Sequence, residues 1–217
     1  MRKPTLISVN AGRPAELHTP KRTLRSAIAK QPVDGPARLH ATGLDGDEQA
    51  DRKNHGGRFK AAYAYAREDQ AWWEGELGRD IPPALFGETL TTEGLDVNGA
   101  EIGERWRIGA AEVTVRGPRV PCHKLATRMG DTLFVKRFTR AGRPGAYLTV
   151  VTEGDVRAGD PIEVLERPGH GVSVATWFTV ALLERDRLGE LEPAREWFNP
   201  ELVEFLDYVR GGGTIDD

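Results

Sequence analysis

The chain holds a single cysteine, Cys122, inside the segment Gly117-Pro118-Arg119-Val120-Pro121-Cys122-His123-Lys124-Leu125. A thiolate, not a thiol, is the working nucleophile and metal ligand, and nearby Arg, Lys or protonated His stabilises the anion. Arg119 and Lys124 bring such charges to either side of the sulfur. Pro118 and Pro121 fix φ on the approach and so restrict where the sulfur points. A lone cysteine in an arbitrary chain is more often a small buried hydrophobe. Its cationic, proline-bounded setting favours the reactive reading here.

Two further segments are rich in functional groups. The first is Gly43-Leu44-Asp45-Gly46-Asp47-Glu48-Gln49-Ala50-Asp51-Arg52-Lys53-Asn54-His55-Gly56-Gly57, where His55 precedes two glycines whose backbone can approach a ligand closely. Its ordinary fate is a solvated charged loop. The second, Phe86-Gly87-Glu88-Thr89-Leu90, combines a turn glycine, a carboxylate and a hydroxyl. The chain has no CxxC and no HExxH, which argues against zinc. It also lacks GxGxxG and P-loop patterns, so an ordinary dinucleotide or ATP site is unsupported. Cys122 with His55 as base leaves a cysteine hydrolase open as a rival chemistry.

The elements that must position these groups are mostly short strands. Glycine and proline are spread through the first three quarters, where brief apolar runs alternate with turn signals as in a β-rich barrel or sandwich. Trp106, Ile108, Val113 and Val115 alternate with polar residues and predict a hairpin joining residues 105–108 to 112–115. Further strands are expected over residues 5–10, 26–30, 38–41, 146–152 and 161–166. One helix, residues 66–77 closed by Gly78, is expected to interrupt this region, with Trp72 and Trp73 packing in the core. Beyond residue 167 the pattern turns helical. Ser173 reads as an N-cap for a helix to about residue 185, a short helix follows at 193–197, and Pro200 opens a last one that stops at Gly211. The expectation is a β domain over residues 1–167 and a three-helix unit over 168–217, too small to be stable undocked.

The 217 residues and net charge of −3 give no global attraction to nucleic acid. One cysteine cannot close an intramolecular disulfide or hold an internal cysteine-ligated iron–sulfur cluster. With no signal peptide and no apolar run long enough for a membrane span, a soluble cytoplasmic protein is expected.

Taken in order, these segments resemble the MOSC family of molybdenum-cofactor proteins, and within it the hydroxylaminopurine-resistance branch. The resemblance is carried by residues 43–51 with His55-Gly56-Gly57, by Phe86-Gly87-Glu88, and by Pro118-Arg119, Pro121-Cys122 and Lys124-Leu125. Ser26-Ala27-Ile28-Ala29-Lys30 and Val33-Asp34-Gly35 upstream, and Gly142, Gly145 and Tyr147 downstream, extend it over about residues 25–167. Thr89 stands where the branch commonly has Asn, and Arg58-Phe59 where a Pro-Asp pair is common.

This resemblance implies a MOSC-type β-barrel with an appended three-helix domain. It implies that Cys122 ligates molybdenum held also by the dithiolene sulfurs of a pterin, a pairing that suits a soft thiolate donor. The pterin's phosphate calls for cations and N–H donors; Arg119, Lys124, His55, Arg52 and Lys30 are the candidates. Gly56, Gly57, Gly87, Glu88 and Thr89 are expected in the pocket wall, and His55 beside Cys122 at the reacting centre. The implied reaction is reduction of small N-hydroxylated compounds such as hydroxylamino bases to amines. Its electrons would come from an external donor protein; neither a nucleic-acid polymer nor a membrane is expected as a partner. A non-catalytic carrier of cofactor or of sulfur, with a persulfide on Cys122, is the alternative.

Overall fold

The computed structural model describes residues 3–19, 22–48, 57–198 and 200–211. In chain order the first strands are β1 (Thr5–Ala11), β2 (Ala15–His18), β3 (Thr23–Ser26), β4 (Gln31–Pro32), β5 (Ala37–His40) and β6 (Gly43–Leu44). A 3₁₀ turn, Arg58–Lys60, leads to β7 (Ala62–Ala66), helix α1 (Arg67–Leu77), β8 (Leu90–Glu93), β9 (Arg105–Ile108) and β10 (Ala111–Pro118). Then come α2 (His123–Met129), α3 (Phe134–Ala141), β11 (Ala146–Thr152), β12 (Gly154–Val156) and β13 (Ile162–Glu166). The chain ends in α4 (Val174–Leu182), a 3₁₀ stretch (Arg185–Trp197) and α5 (Pro200–Arg210).

Eight strands form one sheet in the order β13-β9-β10-β11-β7-β8-β1-β4. Among the described strands β7 and β8 are the one parallel pair, as a strand-helix-strand crossover through α1 requires. The fold is therefore mixed α/β around a large, mostly antiparallel sheet. The expected barrel is met only to that extent, because the described ladders do not close into a ring. The edge of β1 is nonetheless tied to the segment entering β13. Leu6 N donates to Asp160 O (2.9 Å), Gly159 N to Leu6 O (2.7 Å) and Ile162 N to Pro4 O (2.9 Å), beside a bridge between Thr5 and Pro161.

Strand β7 shows how the sheet divides the interior. Its sequence, Ala62-Tyr63-Ala64-Tyr65-Ala66, is buried throughout. Successive side chains of a strand point to opposite faces. Ala62, Ala64 and Ala66 join a large aliphatic core, while Tyr63 and Tyr65 join an aromatic one with Trp73, Phe86, Phe134, Phe138 and Phe178. Both hydroxyls are satisfied by one loop: Tyr63 donates to Pro144 O (2.7 Å) and Tyr65 to Arg143 O (3.1 Å).

Several expected elements shift. The predicted strand at 26–30 ends at Ser26, so Lys30 sits beyond it in irregular backbone. Not one helix but three lie before residue 167: α2 and α3 occupy a stretch expected to be extended or loop. Cys122 consequently lies at the mouth of a helix. Ser173 does cap α4, its hydroxyl accepting from Thr176 N (3.0 Å). No helix among the described residues is long and apolar enough to cross a membrane.

Candidate functional site

A recess between the 3₁₀ turn, the start of α2 and the segment after β3 encloses about 100 Å³, and about 660 Å³ with its open mouth. Cys122 lines it. The residue is extended, φ −139° and ψ 169°, and its carbonyl accepts from Leu125 N (3.0 Å) and Ala126 N (3.3 Å), which starts α2. The last turn of α2 is anchored in turn, because Arg128 donates through Nε to Leu85 O (2.9 Å) and through Nη2 to Ala84 O (3.2 Å). One arginine thus sets the cysteine helix against the Gly87 turn.

Arg119 is the decisive wall residue. It is only 5% exposed, and its Nη1 is buried without a hydrogen-bond partner. Its guanidinium carbon sits 5.5 Å from the Tyr63 ring centroid. Tyr63 packs on Tyr147 at 5.4 Å, and Lys60 Nζ lies 5.9 Å from the Tyr147 centroid. All four residues line the recess, as does Lys124. Arginine stays charged at any physiological pH. Burial raises the pKa of Tyr63 and Tyr147, so both stay neutral and act as hydrogen-bonding phenols. A buried charge with an empty donor is costly unless something supplies the acceptor.

On the opposite wall Lys30 forms an ion pair with Asp47; their side chains are 10% and 7% exposed. Burial lowers the Lys30 pKa, and the Asp47 charge beside it offsets only part of that effect. Asp47 also accepts from Gly12 N (2.8 Å). The floor is set by Gly87 and Thr89. Gly87 has φ 78°, and a Cβ there would lie 2.8 Å from Ile28 Cγ1, so the turn requires glycine twice over. Thr89 N donates to Tyr63 O (2.9 Å), and Thr89 O accepts from Asn10 N (2.7 Å), which locks the floor between β7 and β1.

Residues 51–163 match the MOSC domain family. The chain is 37% identical over 170 residues to the uncharacterised protein YflK of Bacillus subtilis, covering 78% of this chain and 77% of that one. The chain belongs to the MOSC family. It is also 38% identical over 146 residues to YiiM of Escherichia coli, 65% of each chain, and 35% identical over 153 residues to a protein named "Reductase" from Gibberella moniliformis, of which the match spans 26%. Among solved structures, YiiM of Geobacillus stearothermophilus superposes with a TM-score of 0.79 at 27% identity, covering 94% of this chain and 97% of that one. YiiM of Escherichia coli superposes at 0.74 with 25% identity, covering 100% and 96%.

Within this MOSC fold the recess gathers six of the expected residues: Cys122, Arg119, Lys124, Lys30, Gly87 and Thr89. Two others are placed elsewhere. Gly57 is exposed and precedes the 3₁₀ turn without lining the recess. Glu88 points into the protein: its Oε1 accepts from Gln70 Nε2 (2.7 Å), Ala84 N (2.7 Å) and Thr91 Oγ1 (3.3 Å). Arg52, His55 and Gly56 lie outside the described residues. Lys60, Tyr63 and Asp47 line the recess without having been singled out individually. The Ala-Tyr-Ala-Tyr-Ala alternation was the available signal for Tyr63, since bulky residues on one strand face mark a surface packed differently from the other.

Proposed function

We propose that this chain is a molybdenum-cofactor-dependent reductase of N-hydroxylated compounds, converting R–NHOH to R–NH₂. The N–O bond breaks, two electrons and two protons enter, and water leaves. The observation that carries the reading is the chain's one thiol opening into a recess whose wall holds the buried, unpartnered Arg119 nitrogen.

The residues present fit such a group. Cys122 offers a soft donor suited to a sulfur-ligated metal. Among the described residues no cluster of three or more His, Cys, Asp or Glu is placed to hold a metal, so an ion at Cys122 would bring its other donors with it. Arg119, Lys60 and Lys124 supply positive charge for a pterin phosphate, and Arg119 supplies the vacant N–H. When bound, the cofactor supplies the two-electron step. Cys122 would orient it, Tyr147 and Tyr63 would line its flank, and Lys30, whose pKa burial lowers, would hold a transferable proton at Nζ. Electrons return from an external donor protein. The name of the Gibberella relative supports reductase chemistry.

The test uses protein purified from a host that makes the pterin cofactor. Molybdenum near one per chain, and amine formed from a hydroxylamino base only when an electron-donor system is added, are the expected results. A molybdenum-loaded preparation that reduces none of several hydroxylamino substrates with competent donors would instead favour the carrier with a Cys122 persulfide.

A further inference from the structure

Beside the recess lies a second concentration of charge that the reaction does not use. The guanidinium carbons of Arg58 and Arg116 sit 5.6 and 5.8 Å from the centroid of the same ring, Phe59. Arg116 donates from Nε to Thr149 Oγ1 (3.2 Å) and from Nη1 to Trp197 O (3.1 Å). Of a guanidinium's five N–H groups this leaves three to be used. Neither arginine meets a carboxylate among the described residues. Many other arginines of the fold are paired: Arg105 and Arg107 share Glu112, Arg143 pairs with Asp69, Arg67 with Glu74 and Arg167 with Glu104. The Arg116 pKa is lowered, first by burial and then by the Arg58 charge. Arg58 is exposed, and no acid among the described residues confines its long side chain to this ring. Two like charges on one ring cost free energy that an anion between them would reverse.

The location narrows the anion. Tyr147 and Thr149 alternate onto one face of β11. Lys60 lies over Tyr147 in the recess wall, and Arg116 is bonded to Thr149. Two residues along a strand are about 7 Å. The Arg58–Phe59–Arg116 cluster therefore adjoins the recess, because Phe59 precedes the wall residue Lys60 in the 3₁₀ turn and Arg116 bonds to Thr149, two residues along β11 from the wall residue Tyr147. A phosphate monoester has oxygens enough to accept from two guanidinium forks at once, whereas a carboxylate is matched by one.

We propose that Arg58, Phe59 and Arg116 form a phosphate subsite for a nucleotide whose other end occupies the recess. This rests on the recess being the reaction site but needs no metal. Two molecules carry that chemistry: an N-hydroxylated substrate used as its nucleoside monophosphate, or a nucleotide attached to the cofactor.

Calorimetric titration of the purified protein with adenosine 5′-monophosphate and with adenosine tests the subsite directly. The monophosphate is expected to bind about tenfold tighter or better, as two charge-assisted forks require. That advantage should shrink with added salt, disappear in the Arg58→Ala Arg116→Gln double variant, and survive in Cys122→Ser. Arg58→Ala alone changes an exposed residue and should lose part of the advantage even if the double variant folds poorly. Equal binding of the two probes, or an advantage untouched by both variants, would overturn the subsite. For the source, nucleotide released in proportion to molybdenum on acid extraction would assign it to the cofactor. A lower KM for an N-hydroxylated nucleoside monophosphate than for its base would assign it to the substrate. Failure of both arms in molybdenum-loaded protein that turns over would also overturn the proposal. A phosphate advantage in protein that never takes up molybdenum would sink the reductase reading and leave the subsite standing.

Discussion

Glu88 is a carboxyl group sealed behind the recess, with Oε2 bare and Oε1 accepting three hydrogen bonds. Burial raises its pKa from the ordinary 4.5 to about 7, although the donors to Oε1 pull the other way. The folded state thus holds this proton over a window where the unfolded chain releases it. Stability from this group is complete below about pH 4.5 and is lost as pH rises through about 7, by up to about 3 kcal/mol. Glu88→Gln keeps the oxygen acceptor and removes the titration. Melting temperatures from pH 5 to 8 should show wild type falling relative to this variant as pH rises; a constant difference would mean that Glu88 does not ionise there. Cys122→Ser, at a half-buried position, should keep the melting point within the equivalent of about 1 kcal/mol. Molybdenum retention and turnover should both collapse, because oxygen is the harder donor; full metal content in the serine variant would refute the ligand assignment. The contrast between these two residues explains what was legible. Cys122, Arg119 and Lys124 announce themselves by chemistry concentrated in one short segment. Glu88 sits beside Gly87 and Thr89 in sequence, yet its side chain turns the other way, since neighbours in irregular backbone share a position and not a direction. Lys30 was legible as a cation in the wall but not as the partner of Asp47, a pairing made only by folding.

Among the elements, α3 carried a helical signal in plain view, with Phe134 and Phe138 at i and i+4 amid Lys136, Arg137 and Arg140. Alternating strand patterns on both sides masked it. Helix α2 was harder to see, because Pro121 reads equally as a loop residue and the helix has only seven residues. The hairpin of β9 and β10 was plain, since period-2 alternation of large apolar residues has few other solutions. What no local pattern conveyed is how the loop before β11 is pinned. Arg143 donates to Asp69 (2.7 Å), Asn98 donates to the same carboxylate (2.6 Å), and Asn98 Oδ1 accepts from Gly145 N (3.0 Å). Gly145 has φ 65°, and a Cβ there would lie 2.6 Å from Ala64 O, 2.7 Å from Tyr65 Cδ2 and 2.9 Å from Tyr63 Cε2. Backbone and rings must both give way. Gly145→Ala should therefore destabilise by more than about 1 kcal/mol and disturb the Tyr63 wall of the recess. Denaturant unfolding together with metal content would read both effects, and an unchanged midpoint would show that the rings yield easily. Ser173→Ala removes the cap of α4, which does not line the recess, and should cost about 1 kcal/mol without changing the recess.

At the scale of the whole molecule the helical tail is part of the interior. Val174, Val180, Leu191, Ala194, Phe198 and Leu206 are buried in the same aliphatic core as the sheet residues Trp106, Val113 and Leu148. Phe178 belongs to the aromatic core instead, edge-on to Phe138 at 6.3 Å, and Phe138 in turn stacks on Trp73 at 6.1 Å. One helix, α4, therefore feeds both sides of the β7 division, and the aromatic side carries Tyr63 at the recess wall. The turn of texture near residue 167 marks a change of secondary structure that the hydrophobic cores run straight across. Burying each of these large apolar side chains contributes about 1.5–3 kcal/mol, against a net stability of about 5–15 kcal/mol for a whole domain. Residues 1–167 alone should thus fail to fold, appearing as insoluble or dye-binding material; a soluble fragment with a sharp melting transition would show the tail to be dispensable. Phe178→Ala is the finer test. It deletes one buried ring from α4 and should cost about 3–5 kcal/mol. Because Phe178 does not line the recess and meets the aromatic core at Phe138, the loss should appear first in the unfolding midpoint. Cofactor retention should follow only where unfolding begins, so reduced metal content in fully folded variant protein would instead show that the aromatic core positions the site.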